Sequence, residues 1–418
     1  MRTTLESSTL IRDIYRALLN RGRTYGSFEP RHASLLSNLR GLGTILDPMS
    51  GYGGLMNFCC RADFACSSYG IEFNLPAFYW QVLMAPQNRK TYIALCSDLL
   101  RMKNNWPKAD KRLAFSKDWF PGYSLELLVK LWEIISSTIC GKTKNYSIEE
   151  LTIAFLLPFS GRLSSSIKGN VPTHVTKGGF CPYGKWEEDF LLYIVRLNEV
   201  LIENQDVCNN GNQLVIYDDA RSCNLGELSF SAMLTSPPYP NREDYYKTFS
   251  PENALLDKFQ EAGFLPKTGS KLRLIGAAAV SENDGNVKNG IDDVKSKTAI
   301  EFLEFIQSYS KTTKAIDDNK AYYLPYYCNY FSGLEKAYKN ISNYLTDEFL
   351  GYIVVVNNTA RKKIIPVAEF VCDIWNDLGF KAKIIPEYSA ELAHVGGLNP
   401  RVKGLNARHM EYTVKVIR

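Results

Sequence analysis

The strongest constraint on this chain is an alternation. Short apolar runs rich in Val, Ile and Tyr end repeatedly in turn-forming or acidic residues: TILDPMS (44–50), SSYGIEF (67–73), NQLVIYDD (212–219), FSAMLTSPP (230–238), LGYIVVVNN (350–358), GFKAKIIPE (379–387) and EYTVKVI (411–417). Their length and composition fit buried strands. Segments with helical periodicity lie between them. Phe331, Leu334, Tyr338, Ile341 and Leu345 form one apolar stripe, spaced for a single helix face. Pro366 opens a further helix and Gly379 closes it. Strands that alternate with helices predict an α/β chain with a mostly parallel, doubly wound sheet.

Two long stretches interrupt the alternation. The first, 99–211, reads as largely helical. Leu125, Leu128, Val129, Trp132 and Ile135 share one face, and Ser147 with Glu150 forms a capping box. Trp186, Phe190, Ile194, Leu197 and Leu201 form another stripe, after a Gly- and Lys-bearing loop, LSSSIKGNVPTHVTKGGFCPYGKW (163–186). The second stretch, 247–325, holds polar sequence such as SENDGNVKNGIDD (281–293). Insertions of this size commonly carry specificity.

Composition bounds the partners loosely. The 418 residues are 45% hydrophobic and 22% charged, with a net charge of +5. That charge permits a nucleic-acid partner without demanding one. The ten cysteines include no CxxC pair, so they read as small buried hydrophobes of a reducing compartment. The four histidines do not fall near cysteines at zinc-ligand spacing, and no metal is expected. The N-terminal MRTTLESSTLIRDIY lacks the apolar core of a signal peptide, and no apolar stretch is long enough to span a bilayer. A cytoplasmic protein without a membrane partner is the expectation.

The first strand runs directly into Asp47-Pro-Met-Ser-Gly-Tyr-Gly-Gly54. Glycines at Gly51 and Gly53 let the backbone turn tightly and approach a ligand, whose polar groups can meet free N–H groups. Glu72 ends the second strand about twenty residues on, where a nucleoside site places a carboxylate for ribose hydroxyls. Asp219 ends the third, where it can accept from an adenine amino group. No GKS or GKT completes a P-loop, and Asp47-Pro48 replaces the start of a GxGxxG dehydrogenase turn.

LTSPPY follows the fourth strand and so lies at the same carboxyl edge. Proline fixes φ and has no N–H, so Pro237 and Pro238 make a stiff corner with free carbonyls. The Ser236 hydroxyl and the Pro237 carbonyl can both accept from an exocyclic amino group. Tyr239 offers a ring on which a planar base can stack.

The pair DPMSGYGG and TSPPY resembles the S-adenosylmethionine-dependent DNA amino-methyltransferases, and SPPY resembles the cytosine-N4 branch. In the first motif Met49 stands where that family commonly has Phe, and Gly54 where it has Thr. Tyr25-Gly-Ser-Phe-Glu-Pro-Arg31 is similar to the segment that touches the methionine end of the cofactor. The resemblance covers 20–98, 212–246 and 326–418. It implies a class I methyltransferase fold, Rossmann-like with seven strands, and does not cover the two insertions, the first of which reads as largely helical from its own periodicity. Residues 1–98 would be the cofactor-binding half and 99–211 a candidate target-recognition region. The catalytic half would be 212–418, with its own insertion at 247–325, the competing candidate for target recognition. S-adenosyl-L-methionine would be held by Tyr25, Asp47, Pro48, Met49, Gly51, Gly53, Glu72, Asp219 and Ser236. Catalysis would fall to Ser236, Pro237, Pro238 and Tyr239.

The implied substrate is cytosine N4 in double-stranded DNA, flipped out of the helix. The implied partner is a cognate restriction endonuclease or other defence component. Arg242, Tyr245, Arg361, Lys362 and Lys363 are the candidate DNA contacts, and Arg401, Lys403, Arg408 and His409 flank the last hairpin. The cluster Tyr322, Tyr323, Tyr326, Tyr327 and Tyr330 reads as packing rather than base stacking. Two alternatives remain open: adenine-N6 methylation of DNA or RNA, and a non-catalytic DNA-recognition subunit that keeps the fold.

Overall fold

The computed structural model describes residues 33–54, 67–107, 119–120, 122–139, 145–164, 186–203, 213–240, 249–266, 274–275, 290–309, 323–361, 363–391 and 410–418. The helices among them are α1 (Ala33–Leu39), α2 (Leu75–Met84), α3 (Arg89–Arg101), α4 (Gly122–Thr138), α5 (Ile148–Leu163), α6 (Trp186–Glu203), α7 (Ser250–Glu261), α8 (Lys297–Ser308), α9 (Leu324–Ser342) and α10 (Val367–Asp377). The strands are β1 (Ile45–Asp47), β2 (Ser68–Glu72), β3 (Gln213–Tyr217), β4 (Phe230–Thr235), β5 (Leu345–Asn357), β6 (Thr359–Ala360), β7 (Lys363–Ile364), β8 (Lys381–Glu391) and β9 (Met410–Ile417).

Seven strands form one sheet in the order β3-β2-β1-β4-β5-β9-β8, and β6 pairs with β7 in a separate hairpin. The pairs β1–β4, β2–β3 and β4–β5 are parallel. β9 runs antiparallel to both of its neighbours, β5 and β8. The fold is therefore α/β with a mostly parallel seven-stranded central sheet, as the alternation predicts. No helix among the described residues is long and apolar enough to cross a membrane.

Two boundaries differ from the sequence reading. Leu345, read as the last member of a helical stripe, instead opens β5, because α9 ends at Ser342. Thr346, Asp347 and Glu348, which follow Leu345 in the strand, are partly to fully exposed, so they carry no apolar signal to mark its start. The stripe Tyr92, Leu95, Cys96 and Leu99 is continuous through α3, so the helix crosses the expected division at residue 98.

Packing gathers the chain into two compact units. One comprises the described residues of Ser50–Tyr217 and Tyr246–Gly269, the other those of Arg31–Met49, Asp218–Tyr245 and Ser270–Arg418. In the first unit, the helical stretch has no core of its own. Trp132 and Ile135 of α4, Phe155 and Phe159 of α5 and Phe190 of α6 share one buried cluster with Phe78 of α2, Val215 of β3 and Phe259 of α7. Trp132 meets Phe259 edge-on at 5.1 Å, a geometry that adds about 1 kcal/mol to the burial itself. The Ser147 capping box is present: its Oγ accepts from Glu150 N–H at 3.1 Å, and Glu150 Oε2 accepts from Ser147 N–H at 2.8 Å.

In the second unit α9 and α10 pack through Phe331 and Phe370, 4.7 Å between centroids. Gly379 ends α10, with Phe380 N–H donating to Trp375 C=O at 3.0 Å. Cys96, Cys223 and Cys328 are buried free thiols, while Cys372 is half-exposed.

Candidate active site

The second unit holds the end of β1 beside the end of β4. Ile45 pairs with Ala232 and Leu46 with Met233, so Asp47 and Thr235 leave the sheet at the same edge. The strand order reverses here, which makes it the switch point where open α/β sheets bind ligands. Asp47 is 4% exposed and Thr235 fully buried. Asp47 Oδ1 accepts from Thr235 Oγ1 at 2.7 Å and from Met49 N–H at 3.3 Å. Its Oδ2 accepts no hydrogen bond from a described residue. Burial pushes the Asp47 carboxyl up to about 7, against the lowering effect of those two donors. Pro48 is buried and Met49 half-buried on this turn.

The continuation of the turn belongs to the first unit and is held from two sides. Glu72, at the end of β2 and 8% exposed, accepts from Gly51 N–H at 2.5 Å and from Asn74 N–H at 2.6 Å. Gln81 of α2 donates to Ser50 Oγ at 2.8 Å and to the Gly51 carbonyl at 2.7 Å. Gly51 and Gly53 both have positive φ, 52° and 73°. A Cβ at Gly53 would stand 2.8 Å from Gln81 Cγ, so the glycine permits both the turn and the close approach of its clamp.

Beyond Thr235 the chain turns through Ser236, Pro237, Pro238 and Tyr239. Ser236 Oγ lies 3.2 Å from Tyr239 Oη. The Pro238 carbonyl accepts from the hydroxyl of Tyr330 at 2.9 Å. The Pro237 carbonyl accepts no hydrogen bond from a described residue. The corner thus presents a serine oxygen in contact with Tyr239 and a Pro237 carbonyl without a described donor.

Asp219 has a partner the sequence did not announce. Arg221 folds back on it, with Nε 2.9 Å from Oδ1 and Nη2 2.6 Å from Oδ2, while Arg221 N–H donates to Oδ1 at 3.0 Å. Asn340 of α9 secures this turn by donating to the Ala220 and Cys223 carbonyls at 3.1 and 3.0 Å.

Of the expected basic cluster, Arg361 and Lys363 lie in the β6–β7 hairpin that follows β5. Arg361 is the one non-glycine residue with positive φ among those described, at 49°. Its guanidinium lies over Tyr323 at 4.5 Å and toward Tyr309 at 5.6 Å from the ring centroid. Lys363 Nζ sits 4.6 Å from the Phe305 centroid and remains exposed. Tyr326, Tyr327 and Tyr330 are at most 2% exposed and are core residues, as read, while Tyr323 is half-buried and carries Arg361.

Tyr25, Arg242, Tyr245, Tyr322, Lys362, Arg401, Lys403, Arg408 and His409 lie outside the described residues. Thr235, Gln81, Arg221 and Tyr330 were missed as contributors. Thr235 stands within the TSPPY motif and Arg221 two residues after Asp219, whereas Gln81 and Tyr330 act across the fold and leave no local signature. Among the described residues no group of three or more His, Cys, Asp or Glu side chains has the geometry of a metal site. Comparison with protein-family models and with curated protein sequences finds no match to this chain.

Proposed function

We propose that the chain is a DNA methyltransferase acting on the N4 amino group of cytosine, with S-adenosyl-L-methionine as methyl donor. The observation that carries this reading is the buried hydrogen bond from Thr235 to Asp47. It ties the glycine turn to the proline corner at the switch point of a seven-stranded, mostly parallel sheet. These are the two motifs on which the resemblance to the amino-methyltransferases rests.

The residues present fit the cofactor. Oδ2 of Asp47, on a nearly buried carboxylate and without a described donor, suits a cation such as an α-ammonium group. Asp47, Pro48, Met49, Gly51 and Gly53 are assigned to the methionine end, Glu72 to the ribose and Asp219 to the adenine. S-adenosylmethionine, when bound, supplies an electrophilic methyl group. The chain's own part is to present the nucleophile. Cytosine N4 is a poor one, since its lone pair is delocalised into the ring. If Ser236 donates its proton to Tyr239 Oη, both Oγ lone pairs are left for an incoming N–H. The Pro237 carbonyl takes the second N–H. Two acceptors so placed draw the nitrogen toward a tetrahedral geometry, and alignment supplies most of the remaining rate. No cysteine nucleophile is required.

A base inside a duplex cannot reach such a corner, so the reading includes base flipping, at a cost of a few kcal/mol. The hairpin bearing Arg361 and Lys363 is assigned to the phosphate backbone, with Arg242, Tyr245 and Lys362. A restriction or other defence setting follows from the family resemblance alone, and a cytoplasmic location from the cysteine usage. Base-resolved mass spectrometry of duplex DNA incubated with the chain and cofactor tests the choice of base. N4-methylcytosine is expected, and N6-methyladenine without it would move the assignment to the adenine branch.

A further inference from the structure

We infer that Tyr330 of α9 is a positioning residue for the proposed reaction, setting the direction in which the proline corner presents Tyr239 and its acceptors. The inference rests on the methyltransferase reading of the corner and adds to it a residue 92 positions away in the chain.

The argument starts from what proline leaves undetermined. Its ring fixes φ, so Pro237 and Pro238 are stiff about that torsion, but ψ remains soft. Neither proline has an N–H, so neither can be pinned by donating to a neighbour. The ψ of Pro238 orients its carbonyl and, through the same peptide plane, the chain entering Tyr239. The Tyr330 hydroxyl donates to that carbonyl at 2.9 Å. One hydrogen bond therefore fixes the torsion on which the place of the Tyr239 ring depends. The contact between Ser236 Oγ and Tyr239 Oη, at 3.2 Å, depends on it in turn.

The donor is itself rigidly mounted. Tyr330 is 1% exposed and lies within α9, whose next residue Phe331 packs on Phe370. Five residues on, Glu335 accepts the backbone N–H groups of Lys295 and Ser296 at 2.9 and 3.0 Å, joining α9 to the start of α8. A site supported from a packed helix holds its geometry better than a loop alone. Engaging the Pro238 carbonyl also separates the two carbonyls of the corner: one is committed to the protein, and the Pro237 carbonyl is left for the substrate.

Tyr330→Phe tests this, since it keeps the packed ring and removes only the donor. Single-turnover methyl transfer to duplex DNA should slow about tenfold, with cofactor affinity unchanged within about twofold. The effects of Tyr330→Phe and Tyr239→Phe should be markedly less than additive, because both act on one contact. A purely structural Tyr330 would lower the melting temperature and leave that coupling at zero. An active wild-type chain with an equally fast Tyr330→Phe variant overturns the positioning role and leaves the methyltransferase reading standing. A wild-type chain that transfers no methyl to any DNA or RNA removes the reaction and this role together.

Discussion

The glycine turn and the proline corner follow parallel strands at one sheet edge, yet they are held in opposite ways. The turn at Ser50–Gly53 relies on Gly51 and Gly53, residues with the fewest backbone restraints, and its shape is imposed from outside by Glu72 and Gln81. The corner at Ser236–Tyr239 uses residues with the most, and needs one outside donor, Tyr330. The difference follows from the proposed tasks. Backbone meant to lie against a ligand must lack side chains, so its rigidity has to be borrowed. A group meant to aim an amino nitrogen gains from intrinsic stiffness, and only its residual torsion needs pinning. Asp47, just before the turn, accepts from Thr235, just before the corner.

The largest expected effect concerns that junction. A buried carboxyl raised from its ordinary 3.8 to about 7 binds its proton more tightly in the folded chain than in the unfolded one. Stability should therefore fall as pH rises between about 4 and 7 and level off above. The difference is worth about 4 kcal/mol. Asp47→Asn should flatten that slope in denaturant titrations across the range. An unchanged slope would mean that Asp47 is not the titrating group. The same ionisation should strengthen cofactor binding as pH rises through 7.

The second effect separates the two regions by function. Ser236→Ala should lower turnover about 100-fold while cofactor affinity changes less than about twofold. Asp47→Ala should weaken cofactor binding roughly 30-fold, with a smaller effect on turnover at saturation. Equal loss of cofactor binding in both variants would dissolve the distinction between them.

The third and smallest effect tests how the turn is held. Gly53→Ala places a methyl against Gln81 and a side chain at positive φ, and should cost about 2 kcal/mol of stability. Gln81→Ala opens that space. In chemical denaturation the double variant should then lose about 1 kcal/mol less than the two single losses together. Strict additivity would show that the close approach carries no energy.

The sequence made the sheet legible because buried parallel strands are short, apolar and β-branched, and each one here ends in turn chemistry. It made the site legible only where function and chain coincide. Asp47, Gly51, Gly53 and Ser236–Tyr239 sit within compact motifs. Gln81 and Tyr330 act through contacts that exist only after folding. Tyr330 in particular was absorbed into a buried aromatic cluster, where one hydroxyl with a separate task looks like any other core tyrosine. The start of β5 escaped for a plainer reason, since Thr346, Asp347 and Glu348 carry no apolar pattern.

The most direct test of the central claim is transfer of labelled methyl from S-adenosylmethionine to mixed-sequence duplex DNA, followed by digestion to nucleosides. The account predicts label in N4-methylcytosine, lost in Ser236→Ala. Cofactor binding with no label in any DNA would contradict it, and would move the weight to an RNA substrate or to a recognition subunit that keeps the fold without the reaction.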